Sequence, residues 1–287
     1  MAEKAYLIGQ GIAHSLSPPI YTAAFDAMDL DVVYELLDVE KHELAKAEAA
    51  IRAPGCVGAN VTMPHKFWAA RAADEVDSVA RACGAANLLA LESGRLLGRN
   101  TDAEAIASLL AEREAAVSAG RALLVGAGGA AVAGLWALSR VTPAGIVVSA
   151  RRTEATDEMA ALAHVLVPGV RVETALLDEL DGRQAGITLI LNATPAGMHD
   201  QREDPLPSFP IETGNLVYDL VYRREGATAL QARALAAGAE LVDGAGHLLE
   251  QAFPAFEAFT GTAAPREAMR RAVVDVLGRE PARWSRA

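Results

Sequence analysis

Lys66 and Asp102 stand in two of the segments of this chain that look chemical. Lys66 closes the segment Gly58-Ala59-Asn60-Val61-Thr62-Met63-Pro64-His65-Lys66, just after an apolar strand. Asp102 closes Gly98-Arg99-Asn100-Thr101-Asp102, just after another. A lysine and an aspartate that each follow a strand can converge at the carboxyl edge of one sheet. Apart from such a setting, a lone Lys or Asp is an ordinary surface charge. A third segment, Ala13-His14-Ser15-Leu16-Ser17-Pro18, sets two hydroxyls two residues apart ahead of a helix. Such a pair binds a carboxylate, and the same residues also suit a plain helix cap.

A second kind of chemistry lies downstream. Leu123-Leu124-Val125-Gly126-Ala127-Gly128-Gly129-Ala130-Ala131 reads as a buried strand breaking into a glycine turn that opens a helix. Glycines let the backbone approach a pyrophosphate, and the helix N-terminus presents free N–H groups and a partial positive charge. The pattern Gly126-x-Gly128-x-x-Ala131 carries alanine at the third position, which that fingerprint tolerates. The next strand, Gly145 to Ser149, ends in Ala150-Arg151-Arg152-Thr153. An NAD site places Asp or Glu there for the ribose 2′-hydroxyl. Two arginines instead suit a 2′-phosphate, which favours NADP; the plain alternative is a pair of solvated surface arginines.

The elements that must position these groups follow from pattern. With 287 residues the chain exceeds one ordinary core of ~150 residues, so two domains are expected. Strands are expected at Tyr6–Gly9, Val32–Leu36 and Val57–Thr62, a hairpin turns at Ser93-Gly94, and helices cover Pro18–Met28, Glu40–Arg52 and Lys66–Ala73. Beyond them a strand–helix rhythm runs through strands near 122–125, 145–149, 170–174, 187–192, 215–221 and 239–243, the signature of a parallel sheet. Helices are expected at Ala155–Leu166, Thr228–Ala237, Leu248–Thr260 and Pro265–Leu277, with Arg279–Ala287 as a frayed tail. The uncharged run Ala122–Ser139 is at the lower edge of a membrane span, but glycines at 126, 128, 129 and 134 split it into a strand and a helix. Net charge is −11, from 26 basic and 37 acidic residues, with no basic cluster, so no nucleic-acid partner is expected. Two unclustered cysteines, Cys56 and Cys83, and an N-terminus without a signal-peptide core point to a reduced, cytoplasmic chain with no membrane partner. No histidine has metal-ligand spacing, and His65 is expected to face solvent.

Together the chemical segments resemble the shikimate dehydrogenase family. The resemblance rests on Ser15-x-Ser17-Pro18, Asn60-Val61-Thr62-x-Pro64-x-Lys66, Gly84-Ala85-x-Asn87, Asn100-Thr101-Asp102, Gly126-Ala127-Gly128-Gly129, Arg152-Thr153, Asn192-Ala193-Thr194-Pro195-x-Gly197-Met198, Tyr218-Asp219-Leu220-x-Tyr222 and Gly246-x-Leu248-Leu249-x-Gln251. It implies an α/β protein with an open α/β substrate domain (1–103 plus 245–287), a Rossmann-like NADP-binding domain (104–244) and a cleft between them. It implies reversible NADP-dependent oxidation of shikimate to 3-dehydroshikimate, in the shikimate pathway of aromatic amino acid biosynthesis. Lys66 and Asp102 would form the catalytic pair. Ser15, Ser17 and Tyr222 would hold the carboxylate of a cyclohexene carboxylate substrate, and Thr62, Asn87 and Gln251 would address its ring hydroxyls. Gly126, Ala127, Gly128, Gly129, Ala130, Arg151, Arg152, Thr153, Asn192, Ala193, Thr194, Met198, Val221 and Gly244 would line the cofactor. The chain would act as a monomer or homodimer.

Several positions depart from the family pattern. Gly11 stands for Pro, Tyr21-Thr22 for His-Asn, Leu88 for Thr or Ser, Ala103 and Ala105 for glycines, Arg223-Arg224 for Asn-Pro, and His247 for Met. Changes at such secondary positions suit a divergent paralogue acting on shikimate, quinate, an amino analogue or another cyclohexene carboxylate. His247, one helical turn before Gln251, either reaches the substrate or caps the helix. The competing readings are an NAD-preferring quinate/shikimate dehydrogenase and a non-catalytic sensor of a shikimate-type ligand.

Overall fold

The computed structural model describes residues 2–285. They form two compact units, Met1–Asp102 with Leu248–Glu280, and Ala103–His247 with Pro281–Ala287.

The first unit is built on a mixed sheet. In chain order it contains β1 (Glu3–Gly9), α1 (Ser17–Ala27), β2 (Val32–Asp38), α2 (Leu44–Ile51), β3 (Cys56–Val61), α3 (Lys66–Ala72), β4 (Glu75–Val76), α4 (Ser78–Cys83), β5 (Leu88–Glu92) and β6 (Arg95–Arg99). The sheet order is β2-β1-β3-β5-β6-β4. β1 pairs in parallel with β2 and β3, while β5 runs antiparallel to both β3 and β6. β6 therefore points the same way as β3, and the carboxyl ends of β1, β3 and β6 share one edge. The hairpin between β5 and β6 turns at Ser93 and Gly94, both at positive φ, as a twist-matched two-residue turn requires. Fully buried Ile8, Ala59, Leu89 and Leu96 fill one face of this sheet.

The second unit is doubly wound. The chain continues through α5 (Thr101–Ala111), α6 (Glu114–Ser118), β7 (Arg121–Val125), α7 (Gly129–Val141), β8 (Gly145–Ala150), α8 (Thr153–Leu166), β9 (Arg171–Leu176), β10 (Ile187–Asn192), β11 (Leu216–Asp219), α9 (Ala229–Ala236), β12 (Glu240–Val242) and α10 (Gly244–Thr260). α11 (Arg266–Leu277) returns to the first unit, where it packs against α1. Six strands lie in the order β12-β11-β10-β7-β8-β9, every pair parallel. The order reverses between β7 and β10, and that switch point is where such sheets take ligands, outside the strands' carboxyl ends. The run Ala122–Ser139 divides into β7 and α7. Among the described residues no helix is long and apolar enough to cross a membrane.

The end of the chain corrects the expectation of a frayed tail belonging to the first domain. Pro281–Ser285 pack on the second unit. The Trp284 side chain is buried, its indole N–H donates to the Leu109 carbonyl at 2.8 Å, and its ring meets Tyr218 edge-on. Ser285 pairs with Leu241 as a short antiparallel extension, and Arg283 forms an ion pair with Glu112. A large indole at the right spacing turned a polar terminus into a strap; Arg286 and Ala287 lie outside the described residues. Deleting a buried aromatic ring costs about 3 kcal/mol. Trp284→Ala is therefore expected to lower the denaturation midpoint of the second unit by that order. An unchanged midpoint means the strap adds nothing to the unit.

Candidate active site

Lys66 is the first residue of α3, placed by the turn that follows β3 and contains the cis Met63–Pro64 peptide. Asp102 is the second residue of α5, directly after β6. Since β3 and β6 run in the same direction, both residues leave the sheet at the same edge. Their side chains form a direct ion pair, Lys66 Nζ donating to Asp102 Oδ2, with only 16% and 9% of each side chain exposed. His65 does not face solvent as expected: it is buried, and its Nε2 bonds the Val39 carbonyl at 2.9 Å. That bond anchors the turn from which Lys66 emerges.

The stretch Ala85-Ala86-Asn87 braces the two arms of the pair. Ala86 N–H donates to the Lys66 carbonyl at 3.0 Å, and the Ala85 carbonyl accepts the Asn100 amide at 2.8 Å. Asn87 Oδ1 accepts the Thr101 N–H at 2.7 Å, and Asn87 Nδ2 donates to Thr101 Oγ1 at 2.9 Å. Gln251, from α10, accepts from both Asn87 Nδ2 and Thr101 Oγ1 at 3.3 Å. Asn87 precedes β5, which is antiparallel, so its side chain also emerges at this edge. The structure thus brings together Lys66, Asp102, Asn87 and Gln251. It adds Thr101, whose place between Asn100 and Asp102 was the signal for it.

Ser15 and Ser17 sit at the start of α1, both buried, and Ser15 Oγ accepts the Ser17 N–H at 3.1 Å. The Ser15 hydroxyl thus supports the local turn, while the N-cap position itself is Leu16, without a side-chain cap. One turn into α1, Tyr21 stacks on Tyr34 with ring centres 4.4 Å apart. Tyr34 donates to Asn60 Oδ1 at 2.7 Å. Asn60 Nδ2 and the buried Tyr21 hydroxyl face each other outside hydrogen-bond geometry and have no partner; burial pushes the Tyr21 phenol above its ordinary range. Thr62 follows β3, where its methyl occupies space that a Cβ on Gly9 would invade at 2.5 Å.

In the second unit the expected cofactor residues line up along the carboxyl ends of the parallel strands. Gly126 follows β7 at φ +119°, and a Cβ there would lie 3.0 Å from the Ala193 carbonyl, which follows β10. Gly128 caps α7 without a side-chain acceptor, and a Cβ there would meet nothing within 4 Å. The open space beside uncapped N–H groups fits a phosphate. Gly134, unexpected from the fingerprint, lets α7 approach Leu124 and Leu191, whose side chains would lie 3.2–3.3 Å from a Cβ at that position. Arg151, Arg152 and Thr153 follow β8, all exposed, and neither arginine side chain has an ion pair or hydrogen bond among the described residues.

Asn192, Ala193 and Thr194 are held by a buried carboxylate that sequence reasoning missed. Asp219 accepts from Asn192 Nδ2 at 2.8 Å, the Val221 N–H at 3.2 Å, Thr228 Oγ1 at 2.7 Å and Gln231 Nε2 at 2.9 Å. Asn192 Oδ1 in turn accepts the Thr194 N–H and hydroxyl. Its presence in the Tyr218-Asp219-Leu220 run was the available signal. Val221 and Tyr222 follow β11, and Gly244 opens α10, where a Cβ would strike the Leu220 carbonyl at 2.5 Å. His247 is the fourth residue of α10 and not the one that caps it. It lies buried in the second unit with Nδ1 on the Tyr218 hydroxyl at 2.9 Å, and Asp243 accepts the Gly246 N–H instead.

A doubly wound sheet with a glycine turn at its switch point, joined to an α/β unit bearing a Lys–Asp pair, defines a two-unit α/β protein with a Rossmann-like half. Residues 7–89 match the model of the shikimate dehydrogenase substrate binding domain, and residues 244–274 match that of the shikimate 5'-dehydrogenase C-terminal domain. The shikimate dehydrogenase (NADP(+)) of Anaeromyxobacter dehalogenans strain 2CP-1 is 39% identical over 267 residues, covering 93% of this chain and 94% of that one. The crystal structure of Thermus thermophilus shikimate 5-dehydrogenase in complex with NADP(H) and shikimate superposes with a TM-score of 0.81 at 30% identity, covering 96% of this chain and 100% of that one. Quinate dehydrogenase from Corynebacterium glutamicum in complex with NAD gives 0.83 at 26% identity, covering 96% and 99%. The chain belongs to the shikimate dehydrogenase family.

The Asp219 carboxyl sets a pH signature. Burial raises it from an unfolded value near 3.9 to about 6, against the lowering pull of its four donors. A raised folded value means that the protonated form favours folding. That contribution is complete below pH ~4 and is lost as pH rises through about 6. The stability difference between the wild-type second unit and Asp219→Asn is expected to shrink by roughly 2–3 kcal/mol between pH 4 and 7. Parallel stability–pH profiles for the two proteins contradict this.

Proposed function

We propose that this protein is an NADP-dependent oxidoreductase that reversibly oxidises shikimate, or a closely related cyclohexene carboxylate, to the 3-dehydro product. The observation that carries this is the Lys66–Asp102 ion pair, set beside the Asn87–Thr101–Gln251 network at one sheet edge. Oxidising a secondary alcohol removes a hydride from carbon and a proton from oxygen. The Rossmann-like half fits NADP⁺, which when bound supplies the hydride acceptor.

The chain's own residues handle the proton. In the oxidative direction neutral Lys66 takes the hydroxyl proton as the C–O bond becomes a carbonyl. In the reductive direction its ammonium returns that proton to the oxygen. Asp102 fixes the orientation of Nζ and stabilises its charged form. Asn87 and Gln251 present amide groups to the ring hydroxyls, together with Thr62, and Ser15 and Ser17 bind the carboxylate. In the other unit the α7 N-terminus and Gly126–Ala130 receive the pyrophosphate, and Arg151, Arg152 and Thr153 receive the 2′-phosphate. Asn192, Ala193, Thr194, Met198, Val221 and Gly244 frame the nicotinamide end. Both cysteines are free and buried, which agrees with a reducing cytoplasm as the working compartment. We place the enzyme there, as a monomer or homodimer.

Absorbance of reduced nicotinamide, with shikimate and quinate each tested against NADP⁺ and NAD⁺, is expected to show fastest turnover with shikimate and NADP⁺. No turnover with any pair overturns the proposal. Lys66→Ala should lower kcat by ~10²-fold or more, as loss of a general acid–base does; a near-normal kcat removes Lys66 from that role. Arg152→Ala should raise KM for NADP⁺ about tenfold or more and leave KM for NAD⁺ nearly unchanged, as loss of a charge-assisted phosphate contact does. Equal effects on both cofactors mean that Arg152 does not read the phosphate.

A further inference from the structure

Arg223 stands where the family pattern has asparagine, and its guanidinium does something specific. Nη1 donates to two successive backbone carbonyls, Gly197 at 2.9 Å and Met198 at 3.1 Å, while Nε donates to the Glu225 carbonyl at 3.3 Å. A single side chain thus ties the loop after β11 to the loop after β10. The bonded loop is otherwise weakly framed. Its other bonds include the Ala196 N–H to Thr194 Oγ1 at 3.3 Å, the Met198 N–H to the Pro195 carbonyl at 3.0 Å and the Gly197 N–H to Glu203 at a long 3.4 Å. Gly197 sits at φ +87°, and a Cβ there would press on Thr228 at 3.0 Å, so the turn passes close to the segment anchored on Asp219.

We infer that Arg223 is a positioning residue for the nicotinamide end of the cofactor site, acting through the Gly197–Met198 turn. This rests on the dehydrogenase reading above and deepens it. The Asp219 network fixes Asn192 and Thr194, but it does not reach Met198. Arg223 supplies that missing constraint. Its bonds go to carbonyl oxygens rather than to a side chain, so they set backbone position whatever residue occupies 198. Both carbonyls accept from a charged donor, the stronger kind of hydrogen bond. Asparagine, much shorter in reach, cannot span the same gap from position 223 with the backbone where it is. The residue after Tyr222 is therefore where this chain sets its nicotinamide geometry, and hydride transfer is sensitive to displacements of an ångström.

The test compares wild-type protein with Arg223→Ala and Arg223→Lys. Readouts are kcat and KM for shikimate with NADP⁺, the primary deuterium isotope effect at the reacting carbon, and the Kd of 2′,5′-ADP as a probe of the adenosine half alone. Arg223→Ala is expected to lower kcat about tenfold to a hundredfold and to enlarge the isotope effect, with the Kd of 2′,5′-ADP unchanged. Arg223→Lys, able to reach one carbonyl but not to fork, is expected to recover part of kcat. In a Met198→Gly background the Arg223→Ala effect on kcat should become smaller, since the turn is already loosened. An unaltered kcat and isotope effect in Arg223→Ala overturns the inference, as does a loss of kcat matched by an equal loss of 2′,5′-ADP binding, which marks general damage to the unit. Failure of the wild-type protein to turn over any substrate–cofactor pair overturns the dehydrogenase reading itself, a result distinct from wild-type turnover that survives the substitution.

Discussion

An ammonium and a carboxylate held mostly out of water constrain the whole first unit. Desolvating both charges costs several kcal/mol, and their attraction offsets that only where the geometry is fixed and the surrounding hydrogen bonds are made. The mixed sheet provides the fixed geometry. Placing antiparallel β5 between β3 and β6 lets two parallel strands discharge Lys66 and Asp102 at one edge. The same insertion starts β5 at that edge, so Ala85-Ala86-Asn87 lies between the two arms and bonds to both. Ala85 and Ala86 are fully buried, and larger side chains there would push the arms apart. The brace explains why a short stretch with no proton chemistry of its own accompanies the Lys–Asp pair.

The second unit solves a related problem with one charge instead of two. Asp219 is buried without a cation, and four neutral donors, two on each oxygen, stand in for one. Four donors suit an ionised carboxylate, which only accepts. The bonds run to β10, to the backbone after β11 and to the first turn of α9, so one carboxylate ties three elements at the carboxyl end of the sheet. The cost of burying it shows in its value near 6, and what it secures is the position of the residues after β10. Glycines complete the arrangement where backbone must meet backbone. Gly126 against Ala193 and Gly244 against Leu220 are contacts that a Cβ at either glycine would break.

Much of this was legible in the residues. Alternation and apolar runs located the strands of both sheets to within a few residues, because buried parallel strands leave little room for polar side chains. The resemblance to the shikimate dehydrogenase family, not spacing, put Lys66, Asp102, Asn87 and Gln251 in one group. What escaped was long-range and individual. β4 is two residues long and α4 six, too short for periodicity to register. His65 carries no mark in the sequence that it bonds Val39, a contact across 26 positions. Trp284 sits in a polar terminus whose composition suggested fraying, and only the pocket formed with Leu109, Tyr218 and Arg113 shows why the chain end is held. Asp219, too, stood in the sequence only as part of the Tyr218-Asp219-Leu220 run, and its four donors come from residues spread from Asn192 to Gln231 that local pattern does not connect.

The two kinds of positive charge in this protein are handled in opposite ways. Lys66 is paired in advance with Asp102, as the proposed proton exchange requires of a group that must be in place before the substrate arrives. Arg151 and Arg152 are exposed, and neither side chain has a partner among the described residues, which suits the proposed phosphate role, since a phosphate gains most from guanidinium groups that no carboxylate already occupies. A chain with a net charge of −11 repels anions at long range, so in the proposed cofactor role these arginines would supply the local attraction at the end of β8. Arg223 falls between these cases. Its charge is directed at backbone carbonyls, which neither neutralise it nor compete for an anion, and it fixes a loop while remaining positive. The partner of each cation follows from what that cation must do. A carboxylate serves where orientation matters, and peptide dipoles where a turn must be held still.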